Sequence, residues 1–474
     1  MSPPATLARR VPLLASALLT CALAPAPARA STPRVHAIVG ARIVTAPGQV
    51  IPRGTIVMRD GVIVGVGANA AVPPDARVWV GDSLTVYPGL IDAFVLPAEA
   101  APGAAPGGRT GRPGPAAPPA APRGAAHELA TVRPEARVIE TLPLPQDQIE
   151  SLRAAGFTLA QVAARRGIVR GSTAVVGLGD GTPNANIVKA DAAQVLALEP
   201  APNGYPGSLM GAIAVIRQAL LDARWYHDVE AAYRKAPLGK PRPEENLSWA
   251  ALEPLVSGQQ PALFVADEML EVMRAGSIAR EADVKGAIVG GGDEYKRVKS
   301  IAAAGFPLIV PVNFPEAPDV SDDANALEVS TEELRAWDQA PSNPVLLQKA
   351  GATFALTANG LKDVKTFRAN VTKAIGRGLS ADQALAAVTT TPAKLLGLSD
   401  RLGTLAPGKI ANLTVTRGDL FGENGKVREV WVDGARYETA KEENPLKGKW
   451  AIDWGHGRGH TLTIAMDKDP RCGW

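Results

Sequence analysis

Histidine is scarce in this chain, with five among 474 residues. A site built from several imidazoles has only His36, His127, His227, His456 and His460 to draw on. Cysteine is scarcer still: Cys21 and Cys472 are the whole supply, and with Cys21 in a removable leader no intramolecular disulfide forms. No apolar stretch runs to membrane-spanning length before Gly, Pro or a charge breaks it. There is no Gly-x-Ser-x-Gly elbow and no reactive cysteine to support nucleophilic catalysis. There is also no spaced glycine fingerprint for a dinucleotide.

The first thirty residues form a separate object. Arg9 and Arg10 precede a short apolar run from Val11 to Leu23, and Ala28-Arg29-Ala30 is a small-residue cleavage pattern that leaves Ser31 as the mature start. This reads as a secretory signal peptide and predicts an exported, periplasmic or secreted protein. Lipid attachment at Cys21 is the alternative, on a loose match at Leu18-Leu19-Thr20-Cys21. Removing Arg9, Arg10 and Arg29 leaves 47 basic against 47 acidic residues. A formally neutral chain has no electrostatic grip on nucleic acid.

Hydrophobic content is 46% and charged content 20%, enough for a sizeable core. Residues 31–86 read as short strands between Gly-rich turns, with Asp60-Gly61 as a hairpin signal. Residues 97–126 are almost wholly Pro, Ala, Gly and Arg and read as a loop without a core. Its place after the first barrel strand makes it a candidate cover for the barrel mouth, and deleting 98–124 tests that by ligand or dye access. From 138 to 397, strand-like runs alternate with helical patterns, which predicts a parallel sheet. Repeated units without a dinucleotide motif favour a closed barrel. Gly290-Gly291-Gly292 lacks the Lys-Ser/Thr of a phosphate loop and reads as a tight strand-to-helix turn. Short strands return at 398–440, and 441–474 form a β-rich tail.

Three stretches carry a family resemblance: VYPGLIDAFV at 86–95, TTTPAKLLGL at 389–398 and LGTLAPGKIANLTVTRGDLF at 402–421. With the β-rich opening, they resemble the amidohydrolase superfamily in its imidazolonepropionase- and dihydroorotase-like group. The resemblance implies an α/β fold. A (β/α)8 TIM-like barrel would span 87–397, with a small composite β-sandwich built from both chain ends. It also implies hydrolysis of C–N bonds in amides, lactams or small rings by a zinc-activated water at the barrel mouth.

The same resemblance exposes a departure. Where active members end the first strand in His-x-His, this chain has Phe94 and Leu96. The fifth strand offers Ala266 and Asp267 for a histidine, the sixth offers only glycine, and the eighth offers Asn359 for the metal-binding aspartate. A phenyl ring and an alkyl chain hold no divalent ion, and an amide takes up no proton at neutral pH. Lys189 is the position for a bridging carbamylated lysine, but reads as a surface lysine. The tail HGRGH has i, i+4 histidines, yet its glycines oppose a helix.

The remaining candidates for metal-free acid–base work are Asp267, Glu268, Asn359 and Asp363. Asp267 and Glu268 diverge if extended, and Asp363 reads as a helix cap. The expectation is therefore a pseudoenzyme with no cofactor and no membrane span. Its partner would be an active amidohydrolase subunit or a fused downstream domain, and an oligomer is left open. A C–N hydrolase with an atypical site and a small-molecule or peptide binding module are the alternatives.

Overall fold

The computed structural model describes residues 34–98, 125–201 and 204–439, together with the backbones of 448–453 and 459–464. The leader, residues 99–124 of the Pro-rich segment, His456 and Cys472 lie outside the described residues. So do the expectations of export, lipid attachment and a cover over the mouth.

Among the described residues, twenty strands follow in chain order. The first five are β1 (Val35–Ala46), β2 (Gln49–Arg59), β3 (Val62–Gly67), β4 (Arg77–Val80) and β5 (Leu84–Pro88). Next come β6 (Leu90–Val95), β7 (Phe157–Val162), β8 (Val169–Ser172), β9 (Ala174–Gly177), β10 (Ile187–Lys189) and β11 (Gln194–Ala197). The later parallel set is β12 (Ala262–Val265), β13 (Gly286–Val289), β14 (Leu308–Pro311) and β15 (Phe354–Thr357). The chain closes with β16 (Leu413–Arg417), β17 (Lys426–Val432), β18 (Ala435–Glu438), β19 (Gly448–Asp453) and β20 (Gly459–Ile464).

One sheet takes strands from both ends of the chain, in the order β18-β17-β16-β5-β1-β2-β3, with β4 also on β1. Asp60 and Gly61 both have positive φ at the β2–β3 turn, the backbone that a two-residue hairpin needs. Ile38, Ile43, Ile56, Ile63 and Trp431 pack its interior. His36 lies against Trp79 and Trp431 there. Burial first, then Arg77 and Arg34, lower its proton affinity.

The chain leaves this sheet through a single residue, Gly89, between β5 and β6. A Cβ at Gly89 would stand 2.3 Å from Thr158 Oγ1. Only glycine lets the two strands pass so closely, which gives the glycine of PGLID its physical reason.

Two further sheets follow the orders β10-β9-β7-β6 and β15-β14-β13-β12-β11-β8. β11 through β15 are parallel, as are β6 and β7. The expectation of a wholly parallel sheet fails at β8 and β9, which run antiparallel to β11 and β7. The reason is local. Only residues 163–168 separate β7 from β8, too few for the crossover helix that would return the chain to a parallel start. A single residue, Thr173, separates β8 from β9, so one extended segment serves both sheets.

Helices cover the outside. They include α1 (Gln146–Ala155), α2 (Leu209–Lys235), α3 (Leu247–Val256) and α4 (Met269–Glu281). Ser208 caps α2 by accepting the Gly211 N–H. His227 lies inside this helix, which continues to Lys235. The helical stretch over 381–396 is two helices, Ala381–Val388 and Thr390–Leu395. Pro392 has no N–H for the carbonyl four residues back, so the helix breaks at Thr389. No described helix is long and apolar enough to cross a membrane. In the tail, β19 and β20 pair only with each other among the described strands.

Candidate functional site at the strand ends

The C-terminal ends of β6 and β15 meet through a side chain that the sequence reading passed over. Asp92 is fully buried. One carboxylate oxygen takes the Thr357 hydroxyl at 2.6 Å and the Phe94 N–H at 3.1 Å. The other takes the Ala358 N–H at 3.1 Å. Burial pushes the carboxyl up to about 6, and the three donors oppose that rise. The available signal was an acid inside the apolar run LIDAFV, since a carboxylate flanked by buried residues needs a partner.

Two residues on, Phe94 has 0% of its surface exposed. It belongs to an apolar cluster with Ala163, Ala197, Val265 and Val289, contributed by the ends of several strands. Leu96 is partly buried against the same cluster. The interior face of the strand ends is thus filled with hydrocarbon.

The other matched positions add no donor set. Ala266 is buried. At the end of β13, a Cβ on Gly290 would lie 1.8 Å from Glu294 Oε1. The Glu294 carboxyl therefore occupies the space a side chain at 290 would need. That carboxyl is fully buried and accepts from Asn343 Nδ2 at 2.5 Å and the Gly292 N–H at 3.2 Å. Burial raises its pKa. Gly292 has φ +95°, in keeping with a tight turn rather than a phosphate loop. Asn359 is half-buried and donates its backbone N–H to Thr357 Oγ1 at 3.1 Å.

Asp267 and Glu268 are not part of this cluster. Glu268 has extended backbone as it opens α4, so the adjacent side chains diverge. Glu271, one turn into the helix, accepts the Asp267 N–H at 2.9 Å. Desolvation and then Glu199 raise the Asp267 pKa, against a lowering by Arg170. Arg170 is buried and pairs with Glu199 at 2.6 Å. Asp363 accepts the Lys365 N–H at 3.0 Å as a cap.

A cavity of about 490 Å³ lies beside the ends of β6 and β15. Phe94, Leu96, Asn359 and Asp363 line it, with Asp92 at its base and Gln148 and Arg165 on its wall. The structure thus gathers these four sequence candidates and leaves Ala266, Asp267 and Glu268 outside this cavity. Gln148 donates to Leu96 O and accepts from the Ala98 N–H, both at 2.9 Å. Arg165 donates to Pro97 O at 2.7 Å. These bonds fix the chain where the Pro-rich segment begins.

The described histidines stand elsewhere. His127 Nδ1 accepts the Leu129 N–H, and His227 meets Glu253 at 3.2 Å. Lys189 donates to Leu396 O at 2.8 Å rather than lying free on the surface. Among the described residues, no three His, Cys, Asp or Glu are grouped to hold a metal ion. The side chains at the matched positions do not fit a zinc site. Imidazole and carboxylate donors are required, whereas Phe94 and Leu96 present hydrocarbon and Gly290 presents none.

Residues 319–437 match the model of the amidohydrolase family. The chain is 29% identical over 136 residues to Amidohydrolase tasK of Hapsidospora irregularis. It is 37% identical over 95 residues to Adenine deaminase 2 of Jannaschia sp. (strain CCS1). These matches cover 28% and 20% of this chain, and only 13% and 14% of the length of the two relatives. The structure of an amidohydrolase from Thermotoga maritima MSB8 superposes with a TM-score of 0.69 at 22% identity. That match covers 85% of this chain and 99% of that one. The likeness is one of fold: α/β, TIM-barrel-like, with an extra β-rich part.

Proposed function

We propose, for a chain that carries an amidohydrolase-family domain, that it works without a metal ion as a non-hydrolytic member. In this reading, β6, β7, the β8–β9 segment and β11 through β15 form one closed eight-membered ring. The Asp92–Thr357 bond joins its first and last members. The mouth has become a packed core whose outer shoulder still offers a cavity. The protein would be exported and would support or regulate an active amidohydrolase partner. The imidazolonepropionase- and dihydroorotase-like subgroup is part of the same proposal.

One observation carries the reading: the Phe94 ring, wholly out of solvent, fills the position from which a metal ligand would project. Burial of a phenyl ring there stabilises the fold by roughly 2–3 kcal/mol. An imidazole in its place would need a partner that the neighbouring alanines and valines lack. The test is elemental analysis of the purified mature protein, joined to an assay on cyclic amides and N-acyl dipeptides. The proposal expects substoichiometric zinc and no turnover. One equivalent of zinc with turnover overturns it.

A second reading has one observation in its favour. Asp267 is held toward its protonated form by burial and by Glu199, while Glu199 is paired with Arg170. An acid held toward its protonated form beside a second carboxylate paired with an arginine offers the parts for metal-free acid–base hydrolysis. Turnover that survives chelation and is lost in Asp267→Asn would favour this reading over the first.

A further inference from the structure

α2 presents two apolar faces, and the fold uses one. Ala212, Val215, Ile216, Ala219, Leu220 and Ala223 are buried against the body. The opposite face carries Met210, Leu221 and Trp225, exposed at 80%, 64% and 57%. Ala214 and Ala232 lie on that same outer stripe. At 100° per residue, positions 210, 214, 221, 225, 228 and 232 fall within about 40° of one line. The helix has 27 residues, about 40 Å of length. Scattered surface hydrophobes need no explanation, but three large ones on one line of one helix, interrupted by the charges Arg217 and Asp228, do. Apart from the edge of Trp249 on α3, which meets the Trp225 ring at 6.0 Å between centroids, no described element covers it.

The order of residues along the stripe says what would cover it. Reverse the helix and lay it on itself about a two-fold axis near residues 222–223. Leu221 then faces Trp225, and Ala214 faces Ala232. Arg217 faces Asp228, and Met210 faces the aliphatic stem of Lys235. Each pairing occurs twice, because in an isologous contact residue i meets j and j meets i. The large residues sit at the centre, opposite charges meet on either side of them, and the alanines farther out let the helices approach. A random amphipathic face has no reason to satisfy all of these pairings under one axis.

We infer that the outer face of α2 is the docking surface for a second copy of this chain, packed antiparallel. Its centre is Leu221 against Trp225, flanked by two Arg217–Asp228 pairs. One helix pair is a small interface, so the dimer is a reversible one that forms with rising protein concentration. Arg217 also pairs with Glu281 of its own chain at 2.8 Å, which holds the guanidinium at the stripe's edge before docking.

The test is sedimentation velocity on the full mature protein across a hundredfold range of concentration. The wild type should pass from monomer to dimer within it. Leu221→Asp should raise the dissociation constant by at least about tenfold. Arg217→Asp and Asp228→Arg should each weaken self-association, because each places like charges opposite one another. Mixing those two variants restores both pairs, so the mixture should form a heterodimer that neither variant matches alone. Wild type that stays monomeric throughout overturns the inference. So does a dimer indifferent to Leu221→Asp, or a mixture that associates no better than its components.

Discussion

The Thr357 hydroxyl lies 2.6 Å from a carboxylate oxygen of Asp92, across 265 positions of sequence. The same hydroxyl is 2.9 Å from the Phe94 carbonyl. With Asp92 ionised, Thr357 donates to it. With Asp92 protonated, the acid proton can occupy the 2.6 Å contact while Thr357 donates to Phe94. Either arrangement leaves the β6–β15 junction bonded, but at different cost.

Asp92→Asn should therefore change the pH dependence of stability. The folded-state pKa stands at about 6, above the ordinary 3.8 of a solvated aspartate. The native state thus binds the proton more tightly than the unfolded chain does. Asp92 favours the fold below the unfolded value, and that advantage is lost as pH rises through the folded one. The loss is on the order of 3 kcal/mol between pH 4 and pH 6. Urea midpoints of wild type and Asp92→Asn, taken at intervals from pH 4 to pH 7, should show a difference that narrows or reverses as pH rises. A constant offset would contradict the assignment.

Thr357→Val removes the shorter of the two donors to one buried Asp92 oxygen and leaves it the Phe94 N–H alone. The expected cost is about 1–3 kcal/mol, larger at pH 7 than at pH 4 because the ionised carboxylate needs the donor more. Chemical denaturation at the two pH values measures it.

Placing histidines at the end of β6 should not create a metal site. Phe94→His with Leu96→His supplies two imidazoles, but Ala266, Gly290 and Asn359 still fail to complete a tetrahedral set. Zinc measured by plasma mass spectrometry should stay well below one equivalent after dialysis. Thermal denaturation should show a destabilised protein, by about 2–4 kcal/mol, from placing polar rings in a hydrocarbon cluster. Stoichiometric zinc in this variant would mean that the surrounding shell still accommodates the ion.

Gly290→Ala should be among the more damaging single changes, because its methyl would meet Glu294 Oε1 at 1.8 Å. Adding Glu294→Ala frees that space. The double variant should lose less stability than the two singles together, a coupling of about 1 kcal/mol or more in a denaturation cycle. Strict additivity would show that the backbone, not Glu294, sets the need for glycine.

The sequence made parts of this structure legible and hid others for physical reasons. The β2–β3 hairpin was readable because Asp60-Gly61 accepts positive φ at both positions. The helices were readable from their spacing. Phe94 and Leu96 could be assigned to strand ends because PGLID anchors the register. Asp92 was missed because its partners lie on β15, far along the chain. Glu294 was missed because it follows the glycine whose missing side chain it replaces; neither residue alone signals the pairing. The reversed direction of β8 and β9 was hidden because strand runs look alike in either direction. Only the short 163–168 link, counted against the length of a crossover, could have revealed it.

The reversed β8–β9 segment alters how this chain can be assembled. No helix of its own clads it. Val132 and Arg137 instead bridge to Val169 and Ser172, and Arg137 also pairs with Asp191. Residues 132–137 thus leave the ribosome more than thirty positions ahead of the strand they rest on. That short segment has no partner for its bridges until β8 has been synthesised.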